Sequence, residues 1–351
     1  MNFLSKKLSH DLIFAFLSLT PIDASRTSTF FKGSQILGVK SYWYVTSPKS
    51  IRKDVIKIEN QFEGKKIHYI VCSPSHLLVP FILLFTRQKP IFDAGWPLTD
   101  GTFISRKEFG LFGLNLLKSI VLDVASVLCS KIVFLESIEQ KNRLGKILIF
   151  SRSKFRVLPT GFNETRFDDM QATLTKKRKH KIIFRGGDQN EAGLETLIEA
   201  IKISKLKNIK FYIVSKSAKF KGLNLKNTLI IDKYLTNDEL FNVYNGSTIA
   251  LGQLSSHKRT NWTIPHKFFE AAYLGIPYLS SDSKVMHKFE NYGCVSTFVG
   301  GNAYSLIQAI ENLLSDQIKL KQLSNNVKEL YLKEFSQLKL SKDFIDQIFA
   351  V

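Results

Sequence analysis

The feature that most constrains this chain is a series of short runs that are apolar almost from end to end. Leu12-Ile-Phe-Ala-Phe-Leu17, Ile67-His-Tyr-Ile-Val-Cys72 and Lys131-Ile-Val-Phe-Leu135 stand in the first half. Lys181-Ile-Ile-Phe184, Lys210-Phe-Tyr-Ile-Val214, Thr228-Leu-Ile-Ile231, Thr248-Ile-Ala-Leu251 and Pro277-Tyr-Leu-Ser280 stand in the second. Runs this short, with no polar face, fit strands covered on both sides, as in a parallel sheet. Parallel strands need crossovers, and helix-like stretches lie between the runs. They are Phe109–Leu128, Leu194–Ile203, Asn237–Asn245 with Thr236 as its cap, and His266–Leu274 ended by Gly275. The pattern runs through once, changes character around Arg156–Phe167, and starts again. It predicts an α/β protein of two doubly wound, Rossmann-like domains over residues 1–160 and 161–335, with a closing helix at 336–351 that packs back on the first. In such sheets ligands bind at the carboxyl ends of the strands, here expected in the cleft the two domains face across. The basic run Lys176-Lys-Arg-Lys-His-Lys181 near the junction reads as a solvated linker, with an anion site as the other reading.

Composition narrows the function classes. The 351 residues are 44% hydrophobic and 12% aromatic, enough to fill two cores, which excludes a disordered or fibrous chain. Fifty Lys and Arg against thirty Asp and Glu leave a net +20, and residues 1–160 hold 23 basic and 11 acidic groups, or +12. That sign predicts polyanionic partners: nucleic acid, phosphorylated substrates or an anionic bilayer surface. No nucleic-acid recognition motif accompanies the charge, so nucleic acid is not expected as a partner. Cys72, Cys129 and Cys294 are odd in number and far apart, which argues against a disulfide framework and suits a reducing compartment. No apolar run approaches the ~18–20 residues of a membrane span, and the start has no signal-peptide core. The expectation is a cytoplasmic protein. No His, Asp or Glu cluster has metal-ligand spacing, and neither metal nor cofactor is expected.

The most specific segment is Ile264-Pro-His-Lys-Phe-Phe-Glu-Ala-Ala-Tyr-Leu-Gly-Ile-Pro-Tyr-Leu-Ser-Ser281. A helix can open just after Pro265, and Lys267 and Glu270, three apart, share one of its faces. A glutamate held at a strand-end cleft can accept hydrogen bonds from two vicinal hydroxyls of a ribose. The other reading is an ordinary surface Lys–Glu pair.

This segment resembles the donor-site signature of the family 4 (group 1) glycosyltransferases of the GT-B fold. The fixed letters of Pro-x-Lys-x-x-Glu-x-x-Ala-x-Gly-x-Pro have counterparts in Pro265, Lys267, Glu270, Tyr273 (for Ala), Gly275 and Pro277. Val157–Phe167, Ile182–Ala200 and Tyr234–Ser247 resemble further stretches of the family in the same order. The resemblance implies a nucleotide-sugar bound mainly by the second domain and an acceptor by the first, with no protein nucleophile and no metal. It gives Glu270 the ribose hydroxyls, with Lys267, Gly186 and Gly187 at the donor. The departing diphosphate is then stabilised by positive charge and backbone N–H groups. The family's diphosphate-binding Arg and Lys fall on Gly187 and Ala192, and its first glutamate on Trp262. Arg185, two positions early, is the candidate to replace the missing charge, with Lys258, Arg259 and Lys267 beside it; the other reading leaves Arg185 on the surface at a strand end.

In the first half, Asp93 in Pro90-Ile-Phe-Asp-Ala-Gly-Trp-Pro97 is the candidate base for an acceptor hydroxyl, or else a turn aspartate. His76 stands at another strand end, and Arg26 is a weaker acceptor-side candidate. The function implied is transfer of a sugar from a nucleotide donor to a saccharide or lipid-linked acceptor with retention, in polysaccharide or lipopolysaccharide assembly at the inner face of a membrane. Three alternatives compete: a catalytically degenerate relative that binds glycans or a partner, a sugar-nucleotide epimerase of the same fold, and a nucleic-acid-binding protein prompted by charge alone.

Overall fold

A computed structural model describes residues 12–22, 25–105, 113–167, 170 and 180–350. It forms two compact units: residues 1–163 with 337–351, and residues 164–336.

Unit 1 runs β1 (Leu12–Ser18), α1 (Ser25–Ile36), β2 (Lys40–Val45), α2 (Ile51–Gln61), β3 (Lys66–Cys72), α3 (Leu78–Thr86), β4 (Ile91–Gly95), α4 (Leu114–Cys129), β5 (Ile132–Leu135), α5 (Ile138–Ile147) and β6 (Phe155–Val157). The strands form one parallel sheet in the order β2-β1-β3-β4-β5-β6. All seven residues of β1 are buried, as an apolar strand covered on both faces requires. Ile13, Ala15 and Leu17 pack into one layer with α2 and α3, and Phe14 and Phe16 into the other.

Unit 2 restarts with β7 (His180–Arg185), α6 (Leu194–Ile203), β8 (Ile209–Val214), β9 (Thr228–Ile231), α7 (Asn237–Tyr244), β10 (Ile249–Leu251), α8 (His266–Tyr273), β11 (Tyr278–Ser281), α9 (Lys284–Asn291), β12 (Val295–Phe298), α10 (Ala303–Ser315) and α11 (Gln317–Leu330). Its sheet is also parallel, in the order β12-β11-β10-β7-β8-β9. The last helix, α12 (Gln337–Phe349), belongs to unit 1. Its Phe344 is fully buried, stacked on Phe30 with ring centres 5.3 Å apart and tilted on Phe134 at 5.1 Å.

The expected strands and the helices α6, α7 and α8 are present, and Thr236 with Glu239 closes a capping box on α7. Three expectations need amendment. The helix expected over Phe109–Leu128 is described only from Leu114, residues 109–112 lying outside the described residues. Of the basic run, residues 176–179 also lie outside them; Lys181 sits in β7, its Nζ donating to the Asn242 and Asn245 carbonyls at 3.2 and 3.0 Å. The strand around Pro277–Ser280 does not close the second sheet, because β12 pairs beyond it at the edge. Among the described residues no helix is long and apolar enough to cross a membrane, and no three His, Cys, Asp or Glu side chains are placed to hold a metal ion.

Candidate active site

In unit 2 the strand order turns back between β7 and β10. The chain leaves β7 toward β8 on one side and leaves β10 toward β11 on the other. A crevice opens at such a reversal, at the carboxyl ends of the two strands, because their connections depart to opposite sides. Arg185 is the last residue of β7, and Gly252 follows the last residue of β10. Two glycines here answer to close packing. A Cβ on Gly186 would lie 2.7 Å from the Phe184 ring, and one on Gly252 would lie 2.7 Å from the Tyr278 hydroxyl. Gly187 has only the end of the Gln189 side chain within reach.

Helix α8 starts after Pro265, whose fixed φ suits a helix entrance and whose missing N–H costs nothing there. Its buried face carries Lys267 and Glu270 side by side. Glu270 is 0% exposed, and its oxygens are engaged: Oε1 meets Arg185 Nη2 at 2.6 Å and His266 Nδ1 at 3.1 Å, and Oε2 accepts from Tyr244 Oη at 2.9 Å. Burial opposes charge on this carboxyl, but Arg185 and then His266 outweigh it and hold the group at about 2. The same pair keeps Arg185 protonated against its own burial. Arg185 is a third exposed, and its Nε is buried with no hydrogen-bond partner. Tyr244 is pushed well up, by burial and then by the Glu270 charge.

Lys267 is buried, donates to the Gly252 carbonyl and lies 4.3 Å from the centre of the Phe184 ring. Burial and then Arg185 bring its ammonium down to about 7. The structure therefore joins Arg185, Lys267, Glu270 and the Gly186–Gly187 turn at the carboxyl ends of β7 and β10. Arg259, the other arginine considered for the missing charge, is buried in an ion pair with Glu191. Lys258 is exposed and Trp262 half-buried. Ala192 is buried, leaving no cation where the family has one.

In unit 1 stands Asp93, the candidate base for an acceptor hydroxyl. It is buried at the end of β4, where the pairing with β5 shifts register between Asp93 and Gly95. Its Oδ1 accepts from Arg26 Nε at 2.8 Å, and Arg26 Nη1 donates to the Leu158 carbonyl at 2.7 Å. Asp93 Oδ2 is buried without a hydrogen-bond partner among the described residues, and burial raises the carboxyl above its ordinary value with Arg26 pulling the other way. His76 is buried against Phe92 and 3.4 Å from Asp123, which binds the Leu98 and Thr99 amides. These contacts are those of a packed core histidine.

Tyr244 and His266 were not singled out from the sequence. His266 had a signal, since it stands four residues before Glu270 on the same helix. Tyr244 had none: it reaches Glu270 only through the fold.

Residues 165–330 match the family described as Glycosyl transferases group 1. The chain carries a group 1 glycosyltransferase domain. No curated protein sequence matches the chain. Solved structures similar to it include Anabaena HepE in complex with UDP-glucose, at 11% identity and a TM-score of 0.68, covering 97% of this chain and 100% of that one. Sucrose-phosphate synthase from Thermosynechococcus elongatus is similar at 13% identity and 0.70, covering 97% and 100%. The catalytic domain of starch synthase IV from Arabidopsis thaliana, bound to ADP and acarbose, is similar at 10% and 0.68, covering 97% and 99%. The fold is GT-B. In this glycosyltransferase the Glu270 of the Pro-x-Lys-x-x-Glu segment sits inside the protein, gripping the arginine that closes β7.

Proposed function

We propose that this glycosyltransferase draws its sugar from a nucleotide-sugar bound at the carboxyl ends of β7 and β10. The observation that carries the reading is the buried Arg185–Glu270 pair, braced by Tyr244 and His266 at the strand-order reversal. A carboxylate has about four lone-pair positions, and three partners occupy this one. One position is left, so two ribose hydroxyls can be held by Glu270 only if one partner lets go. Arg185, a third exposed, is the partner a ligand can reach most readily. The donor diphosphate supplies the reason to let go, because it offers the guanidinium two negative groups in exchange for one. Donor binding on this reading swaps partners: Arg185 turns to the diphosphate, and the ribose takes its place on Glu270. Arg185 then stabilises charge as the diphosphate departs, and Lys267 holds the β10 end through the Gly252 carbonyl. The complexes of HepE with UDP-glucose and of starch synthase IV with ADP, on the same fold, support a nucleotide donor.

The finer proposal is transfer with retention to a saccharide or lipid-linked acceptor, in polysaccharide or lipopolysaccharide assembly at the cytoplasmic face of a membrane. The net +20 of the chain supports an anionic setting. Thermal-shift titration with UDP-, GDP-, ADP- and CMP-sugars tests the donor reading. One of them stabilises the wild type, and Glu270→Ala abolishes that shift. A shift left intact in a folded Glu270→Ala protein removes the ribose assignment.

A further inference from the structure

Helix α4 covers mostly polar groups and leaves much of its apolar surface outside. Of its buried residues only Val127 enters the core, while Ser126 Oγ donates to the His76 carbonyl at 2.9 Å and Asp123 accepts the Leu98 and Thr99 amides at 2.8 and 3.0 Å. Its outward face is apolar, with Leu114, Leu117, Val121 and Leu128 exposed by 61, 57, 55 and 55%. At about 100° per residue these four positions fall within an arc of about 60°, one stripe down the whole helix. Burial of apolar surface within the unit would favour the opposite rotation. The stripe continues beyond α4. Lys154 Nζ donates to the Val127 and Leu128 carbonyls at 3.0 and 2.9 Å, which ties the turn Ile149–Lys154 to the end of the helix. That turn presents Ile149 and a fully exposed Phe150.

The surroundings are cationic. From Gln140 to Asn163 the sequence carries six Lys and Arg and no Asp or Glu; of these Arg143 is paired with Asp100 and Lys154 is tied to the end of α4. Lys146 and Arg152 are exposed near Phe150 in the chain, and Lys118 beside the stripe itself.

We propose that the outer stripe of α4, with Ile149 and Phe150, docks this glycosyltransferase on an anionic lipid surface. The partner follows from charge and apolarity together. A second copy of the chain on a two-fold axis would set these cations against their own kind. A polyanion without an apolar phase would leave the leucine stripe in water. An anionic bilayer takes both, the apolar side chains entering the acyl boundary while lysines reach the headgroups. Sixteen residues at about 1.5 Å each span about 24 Å, so the helix lies in the interface and does not cross it. The inference rests on the membrane setting proposed above and gives it a surface.

Vesicle flotation of the full chain tests it. With equal parts phosphatidylglycerol and phosphatidylcholine the wild type binds, at least tenfold more tightly than with phosphatidylcholine alone. Leu117→Glu combined with Val121→Glu lowers binding at least tenfold, and Phe150→Ser lowers it severalfold. Both variants keep the wild-type melting curve and nucleotide-sugar shift, since the replaced side chains are exposed. Failure of the wild type to bind, or undiminished binding by the double variant, overturns the proposal. So does a wild-type dimer in sedimentation that the double variant dissolves. A wild type that fails to float with vesicles but keeps the nucleotide shift rejects this surface and leaves the donor site standing; the reverse result rejects the donor site alone.

Discussion

At the scale of single residues the decisive fact is where the Glu270 charge goes. A carboxylate with no exposed surface ionises only if neighbours replace its water, and Arg185, His266 and Tyr244 do so. The group is held at about 2 against an ordinary 4.5, so its folded value is depressed. Its stabilising contribution is complete above the unfolded value and is lost as pH falls from about 4.5 through about 2, a matter of roughly 3 kcal/mol. Melting measured across that window is expected to show the loss in the wild type and a flattened acid limb in Glu270→Gln; an identical limb in both would reject the assignment. The sequence motif pointed to Glu270, Lys267 and Arg185, because their types and spacing carry a recognisable chemistry. It did not show that Arg185 and Glu270 hold each other, nor that Asp93 pairs with Arg26, 67 positions away. Such pairings are made by strand order, and no local pattern encodes them.

At the scale of elements, most strands that could be read have apolar surroundings on both faces, with β9 read at an edge from its Leu-Ile-Ile run alone. The strand β1 is buried throughout and its residues say so. The strands missed, β2 and β12, sit at sheet edges, where one flank is unpaired and half the residues are polar. The last helix is expected from the sequence to pack back on the first domain, and the contacts give the rings it meets. Phe344 lies among Phe14, Phe16, Phe30 and Phe134 in unit 1. Phe344→Ala leaves a ring-sized cavity there and is expected to cost about 3–5 kcal/mol. Chemical unfolding followed by a probe in unit 1 checks this, and a change below about 1 kcal/mol would show that α12 contributes little to that core.

For the whole molecule, length and rhythm specified two doubly wound units, and charge specified anionic company without naming it. The excess of cations is divided by the structure among different tasks. Arg259 is balanced by Glu191, Lys154 caps α4, and Arg185 is lodged on Glu270. The charge total therefore overstates what remains for a ligand, which is why the donor reading is pinned to one arginine. A ligand that binds only the folded chain stabilises it by about 2.7 kcal/mol at a hundredfold excess over Kd. That corresponds to a rise of roughly 5–10 °C for a unit of this size.

The most direct test is calorimetric titration of the wild type and Arg185→Ala with the best-binding nucleoside diphosphate and with its parent nucleoside. Exchange of Arg185 from Glu270 to the diphosphate predicts at least a tenfold loss of affinity for the diphosphate in the variant, and less than threefold for the nucleoside. Equal losses for both ligands, or no loss for either, would contradict it.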